Sequence, residues 1–163
     1  MRHLMILRHA KSSWADEGIR DHARPLNKRG RHAADAMGRF MAERNLVPDL
    51  VLSSDSARTR ETVALWSKAA DWNGPTDFRS ELYLASTAEL MDAARSSPET
   101  ANRIMLVAHN PGIEELVSRA AGRPIDMPTA TLAVFELQEP SWSGLETEAI
   151  SLTIHQRPRE LGD

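Results

Sequence analysis

An arginine and a histidine stand side by side at positions 8 and 9, directly after the apolar run Leu4-Met5-Ile6-Leu7, and Lys11 follows two residues later. Four apolar residues that stop at a cluster of cations describe a buried strand whose C-terminal end opens into a crevice, where open α/β sheets hold ligands. Strand packing has no use for Arg-His at that end. Holding a phosphoryl group and attacking it does: a guanidinium offers phosphate oxygens a planar fork of donors, and an imidazole with one unprotonated ring nitrogen is a nucleophile near neutral pH. A lone Arg-His pair is weak, because a histidine at a strand edge is more often structural, so the chain must supply partners. Two further stretches qualify. Ile104 to Ala108 is the most apolar run of the sequence and also stops at a histidine, His109, while Leu50 to Leu52 leads through Ser53-Ser54-Asp55 to Arg58.

Composition narrows the chemistry. The 163 residues are 41% hydrophobic and 26% charged, which is ordinary for a globular protein and long enough for one domain, 1–163, with a normal core. A net charge of -3 and a pI near 6.1 argue against broad nucleic-acid or acidic-membrane binding, so any cationic site is a local concentration suited to a small anion. Cysteine is absent, which excludes disulfides, thiolate metal sites and thiolate attack on phosphorus. The apolar run after Arg2 and His3 is too short for a signal-peptide core and no segment approaches a membrane span, so a cytoplasmic location is expected.

The elements that must position these residues follow from spacing. After strand Leu4 to Leu7, the stretch Lys11 to Lys28 carries Trp14, Gly18 and Pro25 without periodicity and is expected to be a long, functional loop. Trp14 would cover the site or, its more ordinary role, cap a core edge. Ala33, Ala36, Met37, Phe40 and Met41 recur at helical spacing, predicting a helix from Lys28 or Gly30 to Arg44 capped by Asn27. A second helix is expected from the turn at Ser53 to Asp55 through about Ala70, with Arg58 on its first turn and Val63 and Trp66 inward. Asn73-Gly74-Pro75 breaks the chain before a short strand near Phe78, and Glu81-Leu82-Tyr83 is expected in a loop. A helix from Thr87 to Arg95 follows. Beyond His109, Asn110 suits an N-cap and Pro111 a first helical position, with the helix running to Ala121 and closed by Gly122, so His109 lies beside a helix N-terminus, a ready anion site. Thr131 to Leu137 and Thr147 to Ile154 are expected to pair as a hairpin, and the polar tail from Gln156 to fray. Alternating strands and helices imply a three-layer α/β/α sandwich with a mostly parallel central sheet and an antiparallel edge hairpin. Parallel strands share one C-terminal side, so Arg8, His9, Arg58 and His109 can converge there.

Arg8-His9, Ser53-Ser54-Asp55-Ser56-Ala57-Arg58-Thr59 and Val107-Ala108-His109-Asn110 together resemble the histidine phosphatase superfamily, the phosphoglycerate mutase-like group. The short length, Asp21 to Gly30 (Asp-His-Ala-Arg-Pro-Leu-Asn-Lys-Arg-Gly) and His109-Asn110-Pro111-Gly112 look like the small SixA-type phosphohistidine phosphatases. The resemblance runs from Met1 to about Leu137 and departs at Ala10, where the wider family usually has Gly. It implies that His9 is the nucleophile, that Arg8, Arg58 and His109 hold the phosphoryl group, and that Arg24 helps them, with Lys11 and Asn110 as further substrate-binding candidates. Neither metal nor cofactor is required. His3, His22, His32 and His155 lack motif context, and solvated or structural roles are expected for them.

The leaving group sets the substrate class. An alkoxide departs poorly without a general acid, whereas an imidazole with a pKa of about 6.5 leaves readily. Glu81 lies roughly where larger members of the family place their acid. Pointing into the site, it would permit small phosphomonoesters or sugar phosphates; turned away, it leaves phosphohistidine favoured. The reading is therefore a metal-independent phosphatase acting on a phosphohistidine protein, a phosphotransfer domain or phosphocarrier, through a phosphohistidine enzyme. The alternatives are a small-ester phosphatase using Glu81 and, in a different class, a phosphate-binding module without catalysis. A monomer that engages neither nucleic acid nor membrane is expected.

Overall fold

The computed structural model describes residues 1–138 and 140–162. Six strands form one sheet in the order β3-β2-β4-β1-β5-β6: β1 Arg2–Arg8, β2 Leu50–Ser54, β3 Thr76–Arg79, β4 Arg103–Ala108, β5 Leu132–Leu137 and β6 Ile150–Gln156. The first four are mutually parallel, and β5 and β6 form an antiparallel hairpin against β1. Four helices cover the sheet: α1 Lys28–Glu43, α2 Ala57–Ala69, α3 Thr87–Arg95 and α4 Gly112–Ala121. This is the α/β/α arrangement expected from the alternation of strands and helices.

Alternation along each strand divides the core in two. Leu4, Ile6, Ile104, Leu106 and Phe135 face Leu90 and Met91 of α3 and Ile113, Leu116 and Val117 of α4. Their neighbours Met5, Leu7, Met105, Val107 and Val134 face Met37 and Met41 of α1 and Val63 and Trp66 of α2. The central strands are thus apolar on both faces, as a sheet covered twice requires. Local chemistry sets the helix ends. Asn27 accepts from the Gly30 amide at 2.7 Å, Ser56 from the Thr59 amide at 3.3 Å, and Ser86 and Glu89 form a reciprocal capping box on α3. Gly30 is needed where it stands: a β-carbon there would lie 2.1 Å from the Lys11 carbonyl oxygen, so only glycine lets α1 close on the segment that leaves β1.

Three expectations change. Pro111, not Asn110, occupies the N-cap position of α4; the Asn110 side chain reaches one turn on and accepts from the Glu114 amide at 3.2 Å. Thr147 to Ala149 form a 3₁₀ turn instead of the start of β6, which begins at Ile150. Residues 157–162 do not fray. Arg157 pairs with Asp126 at 2.8 Å, Pro158 to Glu160 make a 3₁₀ turn, and Leu161 packs on the α1 side of the core.

Candidate active site

Register builds the centre of the site. β1 and β4 are aligned so that Arg8 sits opposite Ala108. The next residue on each strand is a histidine, so the two imidazoles emerge together, their ring centres 5.1 Å apart. His9 is 6% exposed and its Nδ1 lies 2.7 Å from the Ala10 carbonyl oxygen. A carbonyl only accepts, so Nδ1 carries the proton and Nε2 is left with a free lone pair. Burial pushes the His9 pKa down to about 3, helped by the Arg8, Arg58 and Arg24 charges and only partly opposed by the Ala10 carbonyl. The ring is neutral at physiological pH, as an attacking nitrogen must be. The Ala10 methyl belongs to a small cluster with Leu26, Ala34 and Ala130, and its amide donates to Thr62 Oγ1 at 3.0 Å. The departure from glycine therefore fills the core and takes no space from the cavity.

His109 is buried, with Nε2 2.8 Å from Ser54 Oγ at the end of β2, while its Nδ1 is buried without a partner. Burial, His9 and Arg58 bring its pKa down to about 3 against the opposing pull of Asp21. Arg8 donates to the Met127 carbonyl at 3.1 Å and keeps its buried Nε unpartnered; the Arg58 Nε is in the same condition. Buried polar atoms in a folded protein are nearly always satisfied, so orphaned donors gathered at one place mark a built anion site.

A loop carboxylate organises the remaining cations. Asp21 accepts from Arg58 Nη2 at 3.0 Å, from Arg24 Nε at 3.1 Å and from the Tyr83 hydroxyl. Its backbone carbonyl takes Arg58 Nη1 at 2.8 Å. The Tyr83 hydrogen bond, followed by that of Arg58, holds the Asp21 carboxyl down at about 2, so it stays ionised, and burial together with Asp21 raises the Tyr83 pKa. The Trp14 indole lies on the Arg24 guanidinium, 3.5 Å from ring centre to carbon. Asp21 and, beside Arg8, Glu114 are thus two carboxylates against three guanidinium groups, and the pocket keeps a positive excess before Lys11 at its mouth is added. Arg8, His9, Arg24, Arg58 and His109 line a single cavity of about 260 Å³, enough for a phosphoryl group and the start of a leaving group.

The sequence model of the histidine phosphatase superfamily (branch 1) matches residues 4–83, which hold His9, Arg24 and Arg58. A structure from Agrobacterium tumefaciens, provisionally assigned as the phosphohistidine phosphatase SixA, is 30% identical, superimposes with a TM-score of 0.81 and is covered over 98% of its length by 96% of this chain. The chain belongs to the histidine phosphatase superfamily. Its resemblance is to the SixA type, and the superfamily makes it a phosphatase. An uncharacterised chloroplastic protein of Arabidopsis thaliana is 35% identical over 86% of this chain and 69% of its own length. The structure of a SixA protein histidine phosphatase complexed with tungstate is 18% identical with a TM-score of 0.83, covering 98% of this chain and 99% of its own, which speaks to the fold.

Within this superfamily member, Lys11 and Asn110 also line the cavity, though differently from the arginines. The Asn110 amide donates to Met127 and Glu114 and accepts from the Glu114 amide, so its side chain braces the cavity wall. Glu81 stands outside. It is exposed on the 3₁₀ turn Ser80–Leu82, which buries Leu82 and is followed by Tyr83, bonded to Asp21. The possible general acid of the sequence reading is thus not among the residues that line the cavity. Trp14 is 74% exposed and lies at the cavity mouth, so it covers Arg24 instead of capping a core edge. Sequence reasoning missed Asp21, Ser54, Tyr83 and Leu84. Asp21 had a usable signal, standing one 3₁₀ turn before Arg24; the others had none, since a serine at a strand end and a tyrosine and a leucine in a loop carry no spacing of their own.

Proposed function

We propose that this chain is a metal-independent phosphohistidine phosphatase whose substrate is a histidine-phosphorylated protein. One observation supports this reading above the rest: His9 Nε2 is free in a cavity of three arginines, and Asp21, the carboxylate among those arginines, is held ionised and cannot donate a proton. Such a site suits a leaving group that needs no acid. His9 Nε2 attacks phosphorus in line as the P–N bond of the substrate breaks. With its distal nitrogen protonated, the departing imidazole takes the bonding electron pair and leaves as a neutral ring. Arg8, Arg58 and Arg24 neutralise the charge on the equatorial oxygens, and a water then attacks phospho-His9, releasing phosphate and restoring the free imidazole. The positioned Nδ1–H···O=C contact to Ala10 keeps the tautomer through both steps.

The test compares kcat/KM for a phosphohistidine protein and for phosphoramidate with that for alkyl phosphate esters, in the parent and in Glu81→Gln. The N-phosphoryl substrates are expected to be preferred by roughly 10²-fold or more, the usual worth of a general acid, with no change in Glu81→Gln. Alkyl esters turned over as fast, with activity lost in Glu81→Gln, would establish the small-ester phosphatase instead.

A further inference from the structure

Beside the catalytic cavity, and continuous with it through Lys11 and Thr129, runs a groove of about 1080 Å³ between the outer face of α1 and the C-terminal segment. Its floor is apolar, from Ala33 and Ala36 of α1, Leu65 of α2 and Pro128. Its walls are cationic. Arg29 and Arg31 stand on one side and Arg157 and Arg159 on the other, with Lys11 at the junction. Of the carboxylates in the groove, Asp35 is taken by Arg39 at 2.8 Å and Asp126 by Arg157 at 2.8 Å, which leaves Lys11, Arg29, Arg31 and Arg159 without an ion pair among the described residues. In a chain of net charge -3 this is a strong local inversion of sign.

The placement of these cations is costly. The first turn of α1 holds no acid, and Lys28, Arg29 and Arg31 crowd the positive end of its dipole, where acidic residues would be favoured. Helix stability gives no reason for that choice, whereas attraction of an anion does. The floor identifies which anion. A small polyphosphate has no use for an alanine and leucine surface, and a single-stranded nucleic acid would seek exposed Trp, Tyr or Phe platforms, of which the groove's described lining has none, His32 being its one aromatic ring. An α-helix with small apolar residues on one face and Asp or Glu along both flanks matches floor and walls together.

We propose that this groove docks an acidic amphipathic helix of the phosphorylated protein, laid along α1 so that its phosphohistidine enters the catalytic cavity past Lys11. The inference rests on the substrate class proposed above and adds the surface that selects the partner. Exposed Leu84, held outward by a positive φ of 53°, and exposed Trp14 give the opposite rim of the cavity an apolar edge on which the same partner can rest.

The test uses the full chain, the double variant Arg29→Glu/Arg159→Glu, and two fluorescent helical peptides of equal length, one with Glu and Asp on its flanks and one with Gln and Asn there. Binding of the unphosphorylated peptides is read by anisotropy, and hydrolysis is read on free phosphohistidine and on the two peptides carrying phosphohistidine. The acidic peptide is expected to bind and turn over about tenfold better than its amide counterpart, an advantage lost in the double variant and at high salt, as for steered charged partners, with free phosphohistidine unaffected. Equal binding of the two peptides, or a single-stranded RNA of the same charge binding more tightly than either, overturns the docking proposal even if free phosphohistidine is hydrolysed. Failure to hydrolyse any phosphohistidine while the acidic peptide still binds selectively overturns the substrate class and leaves the groove as an acidic-helix site.

Discussion

The two halves of the catalytic cavity are built on different principles. One half comes from strand ends and the first turn of α2: Arg8, His9 and His109 are placed by sheet register and Arg58 by the start of α2, and His9, Arg58 and His109 are almost fully buried. The other half comes from two connections: Trp14, Arg24 and Leu84 line it, Asp21 and through it Tyr83 are tied to its arginines, and apart from Arg24 these residues are half-buried or exposed. The first half can do chemistry because its geometry costs nothing to assemble at the moment of reaction. The second half can adapt to what carries the phosphate, and an ionised Asp21 that bridges Arg24 and Arg58 couples the two.

Replacing one residue from each half measures that division most strongly. Arg58→Ala removes a buried transition-state donor and is expected to lower kcat by roughly 10²- to 10³-fold, while Trp14→Ala, which uncovers Arg24 without removing it, is expected to cost less than about tenfold, mostly in KM. Steady-state kinetics on phosphoramidate checks both. Equal losses would erase the distinction between a chemical and a recognition half.

A smaller effect concerns stability in acid. The folded pKa of His9 is about 3 against 6.5 in the unfolded chain, so below pH 6.5 the unfolded state binds more protons and stability falls as pH is lowered toward 3. The limiting slope is about 1.4 kcal/mol per pH unit for each such histidine. His109 is shifted in the same direction by the same burial. Urea unfolding of His9→Gln between pH 6.5 and 4.5 is expected to give a visibly shallower pH dependence than the parent. Identical slopes would mean that His9 is not buried as a neutral ring.

The same division explains what could be read from the sequence. An apolar strand that stops at a histidine has a physical signature, and two of them in parallel strands determine a meeting point without knowledge of any loop, so His9, His109 and the face they share were legible. Arg58 was legible for a related reason, since a strand, a serine-rich turn and a helix start put it on that face. The loop half was not. Asp21 reads as a surface acid until Arg58, 37 residues away, is seen to need it, and Tyr83 joins the site only through its hydroxyl bond to Asp21, 62 residues away, which no local pattern signals. The tail from Gln156 has no apolar pattern to reveal its order; the ion pair of Arg157 with Asp126 and the anchoring of Leu161 order its described residues.

The most direct measurement is the capture of the covalent intermediate. Mixing the protein with ³²P-labelled phosphohistidine substrate and quenching in alkali within one turnover should leave label on the peptide that contains His9, stable to base and lost in acid, as expected for a phosphorus–nitrogen bond. Label on another residue, or multiple turnovers with no phosphorylated protein at any quench time, would contradict the assignment of His9 as the attacking group.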